Sequence, residues 1–238
     1  MNSFRRRDRH GTKKTDERNP PVMKTIISPS LFAAQSDNFG AAVTCVEKGG
    51  AKYLHFDVMD GHFVPNFSFG YNILAGLRAK TALYFDVHLM IEHPERFALP
   101  FIQSGADCIT IHPESQCDIE ETLGICREHG VDFGMALKPG TPLTAFARYF
   151  PECEILLIMS IEPGFGGQSF MPIALERIAQ AKMIREETGA HYKISVDGGI
   201  NPETGAACVA AGADILVAGT IVFNSDDPAA VMTKLAGE

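Results

Sequence analysis

Short apolar segments recur along the chain and alternate with longer segments in which apolar residues return every three or four positions. The short segments are typical of buried strands, and the longer ones have the period of amphipathic helices. Strands are predicted to begin near residues 25, 53, 83, 108, 133, 154, 192 and 215. Helices are predicted near 37–48, 70–80, 94–104, 117–129, 142–149, 172–188, 202–211 and 227–236.

Glycine marks five of the points where a predicted helix gives way to a strand: Gly50, Gly105, Gly130, Gly189 and Gly212. A glycine suits these points because a helix C-terminus often needs a left-handed residue as its cap. Eight strand–helix units with buried strands imply parallel pairing and closure into an α/β (β/α)8 TIM barrel. An open doubly wound sheet is the alternative. It is disfavoured because no Gly-x-Gly-x-x-Gly follows the first strand and because closure leaves no exposed edges.

The chain has 238 residues and 45% hydrophobic content, enough for one domain with a large core. Residues 1–22 carry seven Lys/Arg and three acids, a net charge of +4. Since the whole chain carries −8, the other 216 residues carry −12. A body this acidic is not expected to bind nucleic acid, and no apolar run is long enough to span a membrane.

Residues 1–22 are predicted to be a disordered basic extension, and residues 23–238 the barrel. The extension could be a targeting peptide or an electrostatic tether. The preferred interpretation is a solvated tail, or an upstream extension with Met23 as the natural start. The six cysteines include no Cys-x-x-Cys pair, and no secretory signal precedes them. They are therefore interpreted as reduced thiols of a cytoplasmic protein.

Polar side chains occupy the ends of the predicted strands, where a barrel of this kind places its working groups. Two imidazoles and two carboxylates from strands 2, 3 and 7 converge on one mouth: His55, Asp57, His88 and Asp197. Each histidine alone could simply be hydrogen-bonded, but the joint placement favours a metal site. The ligand types suit Zn²⁺, Fe²⁺, Mn²⁺ or Co²⁺ and do not choose among them. Methionines at the same ends could merely fill space or could exclude water above the metal: Met59, Met90 and Met159.

Two glycine-rich loops follow strands 6 and 7, at residues 162–168 and 197–199, and Gly219 with Thr220 follows strand 8. Glycines allow backbone N–H groups to approach an anion, and a helix N-terminus favours negative charge. A phosphate site after strands 7 and 8 is what this barrel usually offers. The loop after strand 6 could be a tight turn, and the preferred interpretation is a lid over the phosphate.

A metal beside two carboxylates suits removal and return of a proton next to a carbonyl group. Asp57 and Asp197 come from strands 2 and 7, so they can stand on opposite sides of a planar intermediate. The expected reaction is epimerisation without a redox cofactor. A Schiff-base reaction at Lys138 is a weaker alternative, because no partner that would depress its pKa is evident.

The chain resembles the ribulose-phosphate 3-epimerases in a twelve-residue string, His-Phe-Asp-Val-Met-Asp-Gly-His-Phe-Val-Pro-Asn at 55–66. Similar motifs occur at 86–91, 163–168, 196–199 and 218–220, so the resemblance extends from about residue 25 to residue 223. It implies interconversion of D-ribulose 5-phosphate and D-xylulose 5-phosphate with one divalent cation per subunit. A homo-oligomer is expected, without nucleic-acid or membrane partners.

Carried over by position, the resemblance makes His55, Asp57, His88 and Asp197 the metal ligands. Asp57 becomes the proton acceptor and Asp197 the proton donor, while His112 lies outside the ligand set. The substrate-binding residues it implies are Ser30, His88, Gly164, Phe165, Gly166, Gly167, Asp197, Gly198, Gly199, Gly219 and Thr220.

The chain departs from the family pattern at two places. Phe32-Ala33-Ala34-Gln35 stands where many relatives have Ser-Ala-Asp, and Thr220 replaces a more usual serine. The related allulose-6-phosphate 3-epimerases keep the same ligands and accept a sugar one carbon longer, so they are the leading alternative. A non-catalytic phosphosugar or metal sensor is a further alternative.

Overall fold

The computed structural model describes residues 25–238, in which eight parallel strands form a barrel surrounded by helices. The strands pair in the order β1-β8-β7-β6-β5-β4-β3-β2, and a bridge between Ser30 and His55 links the first strand to the second. The (β/α)8 barrel predicted from the sequence is therefore confirmed. The strands are β1 (Ile26–Pro29), β2 (Tyr53–Met59), β3 (Tyr84–Met90), β4 (Cys108–Ile111), β5 (Asp132–Leu137), β6 (Ile155–Met159), β7 (Lys193–Asp197) and β8 (Ile215–Ala218).

Helices connect most of the strands on the outside of the barrel. Their bounds are α1 (Phe39–Lys48), α2 (Tyr71–Arg78), α3 (Glu95–Gln103), α4 (Ile119–His129), α5 (Ile173–Thr188), α6 (Pro202–Ala211), α7 (Thr220–Phe223) and α8 (Pro228–Leu235). The short helix α7 was not predicted separately. The predicted extension at 1–22 and its proposed boundary at Met23 lie outside the described residues.

The predicted helix at 142–149 is wrong. Two 3₁₀ segments, Leu143–Ala145 and Ala147–Glu152, stand there instead. Phe146 between them leaves the helical region with φ −123° and ψ 8°, and Pro151 has no N–H to give to an α-helical ladder. Phe146 breaks the predicted helix in its middle, and Pro151 prevents its extension beyond residue 149, whereas 3₁₀ turns need only brief runs.

The five glycines at the helix-to-strand junctions all have positive φ. Gly130 (φ 64°, ψ 34°) and Gly189 (φ 66°, ψ 20°) cap α4 and α5 in the left-handed conformation. A side chain would be strained there, which explains why this residue recurs before the strands.

Alternation along the strands separates two apolar layers. Leu54, Phe56 and Val58 of β2 belong to the large core between barrel and helices. A second cluster, drawn mostly from alternate positions of β4, β5, β6 and β8, packs separately from that core: Cys108, Ala136, Ile155, Leu157, Met159, Ile161, Ile215 and Val217. Because side chains on a strand alternate between its two faces, His55 and Asp57 point away from the outer layer.

All six cysteines lie within the described residues, and none of them forms a disulfide, as the sequence predicts. Among residues 25–238, no helix combines the length and the apolar character that crossing a bilayer requires.

Candidate active site

The pairing of β2 with β3 brings the first three candidate ligands together. In this parallel register Asp57 lies beside His88, and His55 lies beside Asp86. The side chains of His55, Asp57 and His88 are almost fully buried. Asp197 ends β7 on the other side of the barrel and is partly buried. One ligand atom from each of these four residues lies within 4.8 Å of all the others, and we call them the four-residue cluster.

The shortest separations in the cluster join nitrogen and oxygen atoms that could share one ion. His55 Nε2 lies 3.1 Å from His88 Nδ1. Asp57 Oδ1 lies 3.3 Å from each of those two nitrogens. Tetrahedral coordination with bonds of ~2.0–2.1 Å places neighbouring ligand atoms about 3.3 Å apart. The cluster therefore has the donor types, the burial and the spacing that a divalent transition metal requires.

Burial and the neighbouring charges drive the pKa values of the two carboxyl groups apart. Burial alone would raise the pKa of Asp57, but the imidazoles of His55 and His88 hold it well below its ordinary value. The pKa of Asp197 is raised, first because the group is buried and then because Asp57 is negatively charged. Two carboxyl groups with opposite shifts suit a base and an acid at one site.

The pKa of His55 responds to the same surroundings. Burial would lower the pKa of His55, but the carboxylates of Asp57 and Asp86 raise it well above its ordinary value. A raised pKa means that His55 holds its second proton more tightly. A cation bound at His55 would replace that proton, because a nitrogen that binds a metal must present its lone pair.

Ser30 adds a direct contact to the cluster. Its Oγ donates a hydrogen bond of 2.7 Å to Asp57 Oδ2, and both residues are buried. Oδ1 of the same carboxylate faces the histidines. Ser30 was predicted to contact substrate, and its hydroxyl also fixes the orientation of Asp57.

The three methionines predicted to line the site surround a small cavity of about 50 Å³ that also contacts Asp57 and Asp197. Met59 and Met90 lie side by side on β2 and β3, and Met159 ends β6. All three side chains are buried. Their arrangement is consistent with both interpretations, filling space and keeping water out.

A larger cavity of about 540 Å³ opens beside the cluster at the ends of β6, β7 and β8. Most of the predicted substrate-binding residues line it: Ser30, Gly166, Gly167, Asp197, Gly198, Gly199, Gly219 and Thr220. The glycines at 198 and 199 have φ 121° and 60°. A Cβ on Gly199 would lie 2.6 Å from the backbone nitrogen of Phe170, so only glycine lets the chain pass there.

The loop at 162–168 contains two further predicted contacts, Gly164 and Phe165. Asn66 Nδ2 donates to the carbonyl oxygen of Gly164 at 2.8 Å, which links this loop to the one after β2. Gln168 Nε2 lies 2.8 Å from the carbonyl oxygens of Glu162 and Phe165. Phe165 is half exposed. The Asn66 bond ties the loop to the one after β2, the Gln168 bonds lie within the loop itself, and its role as a lid stays a prediction.

The structure adds residues that the sequence did not assign to the site. Asp86 Oδ2 lies 3.0 Å from His55 Nδ1, and its Oδ1 accepts a 2.5 Å hydrogen bond from Thr110. His112 Nε2 lies 2.9 Å from His88 Nε2. The motif Asp-x-His at 86–88 could have signalled the first contact, because β2 and β3 are neighbours. The second contact depends on side-chain direction across two strands.

His112 is in turn held by Glu114, whose Oε2 lies 3.3 Å from His112 Nδ1. Burial lowers the pKa of His112 to about 4, although the hydrogen bond with Glu114 acts in the opposite direction. Lys138, the weaker Schiff-base candidate, places Nζ 3.8 Å from the centre of the Phe63 ring. That ring packs against His112, with centroids 4.9 Å apart.

Comparison with known proteins agrees with this geometry. The model of the ribulose-phosphate 3 epimerase family matches residues 26–223. Ribulose-phosphate 3-epimerase of Bacillus subtilis is 39% identical over 212 residues, covering 89% of this chain and 98% of its own. The chloroplastic ribulose-5-phosphate-3-epimerase of Arabidopsis thaliana is 40% identical over 229 residues, covering 94% of this chain and 82% of its own.

Solved structures with little sequence similarity share the fold. A mutant tryptophan synthase alpha-subunit from Pyrococcus furiosus has a TM-score of 0.66 at 15% identity, covering 91% of this chain and 100% of its own. Thiamine phosphate pyrophosphorylase from the same organism has a TM-score of 0.60 at 18% identity, covering 90% and 94%. At this identity the likeness concerns the barrel alone.

Fold and site together define a (β/α)8-barrel enzyme with a buried histidine–carboxylate centre at the carboxyl ends of its strands. Within that class, the extent of the family match and the identity to its relatives settle the assignment. The chain belongs to the ribulose-phosphate 3-epimerase family, whose members are isomerases.

Proposed function

We propose that the protein interconverts D-ribulose 5-phosphate and D-xylulose 5-phosphate by moving the proton at C3 from one face of the sugar to the other. The observation that carries this proposal is the placement of Asp57 and Asp197 in one cluster with two histidines, where the pKa of Asp57 is lowered and that of Asp197 is raised. Epimerisation needs such a pair, because one group must accept a proton while the other already holds one.

Asp57 acts as the base in the direction from ribulose to xylulose phosphate. Its pKa lies below the ordinary value, so the carboxylate is ionised and free to take the C3 proton. Ser30 holds Oδ2 in place through its hydroxyl group. Because the bond fixes the plane of the carboxylate, the base does not have to reorient before it accepts the proton.

Asp197 acts as the acid on the opposite face. Its pKa is raised to about 6, so this carboxyl group takes up a proton more readily than Asp57 does, and that proton goes to C3 of the planar intermediate. After one turnover Asp57 holds a proton and Asp197 has lost one. This arrangement fits the reverse reaction, and exchange with water restores the starting state.

We propose that the four-residue cluster holds one divalent cation, Zn²⁺, Fe²⁺, Mn²⁺ or Co²⁺, through His55, Asp57, His88 and Asp197. Such an ion, when bound, supplies positive charge that polarises the ketone and favours the enediolate. The spacing of the ligand atoms supports this assignment. We further propose that the buried methionines Met59, Met90 and Met159, which line the adjoining cavity, limit access of water to the ion.

We assign the sugar phosphate group to the cavity at the ends of β6, β7 and β8. Backbone around Gly198, Gly199 and Gly219 lines this cavity without side chains that would fill it. Thr220 begins α7 there, so its hydroxyl is available beside the backbone N–H groups. The cavity adjoins Ser30 and Asp197, which connects the phosphate position with the proposed acid.

The experiment that tests the function follows both product and hydrogen exchange. Metal-loaded protein is incubated with D-ribulose 5-phosphate in D₂O, D-xylulose 5-phosphate is measured with a coupled assay, and deuterium at C3 by NMR. We expect product that carries deuterium at C3. Turnover without deuterium at C3, or no turnover with any of the four cations, would contradict the proposal.

The same experiment with D-allulose 6-phosphate, in which the coupled assay detects the six-carbon epimer instead, tests the six-carbon alternative. We expect a lower kcat/KM for the six-carbon ketose, because the family relatives are named for the pentose phosphate. A higher value for the six-carbon substrate would reassign the protein.

The homo-oligomer and the cytoplasmic location stay predictions, and light scattering on the purified protein tests the first of them.

A further inference from the structure

A chain of buried hydrogen-bonding groups lies behind His88, on the side away from the four-residue cluster. His88 Nε2 contacts His112 Nε2 at 2.9 Å. His112 Nδ1 contacts Glu114 Oε2 at 3.3 Å, and Glu114 Oε1 accepts the backbone N–H of Lys138 at 2.8 Å. We call Glu114 and His112 the outer pair.

The bonding capacity of each group fixes the direction of this chain. The N–H of Lys138 can only donate, and an ionised carboxylate can only accept. Oε1 of Glu114 accepts a hydrogen bond from that N–H. Oε2 is likewise an acceptor, so His112 Nδ1 must carry the proton and donate the hydrogen bond to it. His112 is fully buried, which favours its neutral form, and a neutral imidazole with a proton on Nδ1 has a lone pair on Nε2.

The lone pair on His112 Nε2 in turn requires a proton on His88 Nε2. His88 then has its own lone pair on Nδ1, the atom that lies 3.1 Å from His55 Nε2 and 3.3 Å from Asp57 Oδ1. This is the nitrogen that a cation in the cluster would contact. His55 also has a ring nitrogen that faces the cluster. The carboxylate of Asp86 contacts its Nδ1 directly and leaves Nε2 on the side of the cluster.

We propose that Glu114, acting through His112, is a positioning residue that keeps the proton of His88 on Nε2 and directs the Nδ1 lone pair at the metal. This inference rests on the proposed function, because it presupposes that the cluster binds a cation. Glu114 contacts neither the cluster nor the cavity assigned to the substrate. Its effect depends on hydrogen-bond polarity and not on charge at the site.

Glu114→Gln tests the polarity because an amide offers one acceptor where the carboxylate offers two. If the amide oxygen stays with the N–H of Lys138, the NH₂ group faces His112 Nδ1 and forces the His112 proton onto Nε2. His88 must then move its proton to Nδ1, where the cation binds. We expect the affinity of the full-length protein for Zn²⁺, measured by competition with a chelator, to fall about 10- to 100-fold.

Glu95→Gln is the matched control. Glu95 also joins a histidine to a backbone N–H, since its Oε1 contacts His93 Nδ1 at 3.2 Å and its Oε2 accepts the N–H of Asp118 at 3.2 Å. These bonds lie outside the four-residue cluster. We expect the Zn²⁺ affinity of Glu95→Gln to stay within about twofold of the wild type. A residue behind a metal ligand affects metal affinity through its hydrogen bond to that ligand, and Glu95 makes no such bond.

A double-mutant cycle separates polarity from simple support of the loop. His112→Leu removes the connection, so Glu114→Gln should then change Zn²⁺ affinity by less than about threefold. An equal loss in both backgrounds would mean that Glu114 acts through the backbone of Lys138, and it would overturn the proposal. An unchanged Zn²⁺ affinity of Glu114→Gln in protein that keeps His112 would also overturn the proposal.

A measurement without any variant completes the test. In the Zn²⁺-loaded wild type, ¹⁵N NMR of the imidazoles should place protons on His88 Nε2 and His112 Nδ1. A proton on His112 Nε2 would overturn the proposed chain even if the variants failed to fold. A wild-type protein that binds none of the four cations would instead overturn the proposed metal centre, so the two failures are distinguishable.

Discussion

Replacing Ser30 with alanine removes one hydroxyl group that contacts the proposed base. The bond to Asp57 Oδ2 is 2.7 Å long and buried, and it joins a neutral donor to a charged acceptor. Hydrogen bonds to charged groups contribute ~1.5–3 kcal/mol, and a tenfold change in rate corresponds to about 1.4 kcal/mol. If this bond positions the base, Ser30→Ala should lower kcat/KM about 10- to 100-fold.

The assay compares Ser30→Ala with Ser36→Ala, an exposed serine whose replacement leaves the cluster untouched. Because a badly oriented base slows proton removal, the isotope effect with substrate deuterated at C3 should rise or stay at its maximum. A kcat/KM for Ser30→Ala within about twofold of the Ser36→Ala value would refute this role of the hydroxyl.

Three further predictions concern the base, the glycine-rich mouth and the N-terminal residues. Asp57→Asn should lower kcat at least ~100-fold, because it removes the proton acceptor, while the far-UV circular dichroism stays that of the wild type; a folded variant with undiminished turnover would exclude Asp57 as the base. Gly198→Ala should lower Tm and cost about 1–3 kcal/mol of unfolding free energy, because φ is 121° and a Cβ would lie 2.5 Å from Ile161 Cγ1. Gly124→Ala, in the exposed middle of α4 with no atom near the new Cβ, should instead stabilise by ~0.5–1 kcal/mol, and equal effects at both positions would contradict this reasoning. We propose that residues 23–238 suffice for catalysis, so deleting residues 1–22 should leave kcat/KM within about twofold in the coupled assay, and a larger loss would show that the extension contributes.

Much of the barrel could be predicted because its local signals agree with one another. Gly130 and Gly189 end helices with the left-handed conformation that their residue type favours, and apolar strands follow directly. The segment at 142–149 was misassigned because its apolar spacing is helical while Phe146 interrupts the backbone pattern inside it and Pro151 follows two residues after its end. Periodicity does not record such interruptions, so this error could be avoided only by weighing them individually.

The cluster was also accessible from the sequence, but its supporting contacts were not. His55 and Asp57 share one face of β2 because they are two residues apart, and the end of each strand indicates where the mouth lies. The contact between His88 and His112 depends on the register of β3 with β4 and on the direction of each ring. The contact of Glu114 with His112 depends on how the chain turns after β4, and no spacing rule describes that turn.

We propose that one divalent cation in the four-residue cluster is required for proton transfer at C3. The most direct test measures metal content and epimerase activity on the same samples, before chelation, after chelation and after restoration of Zn²⁺, Fe²⁺, Mn²⁺ or Co²⁺. Activity should be lost with the metal and return as one equivalent per chain is restored. Full activity in protein stripped of metal would contradict a requirement for the cation.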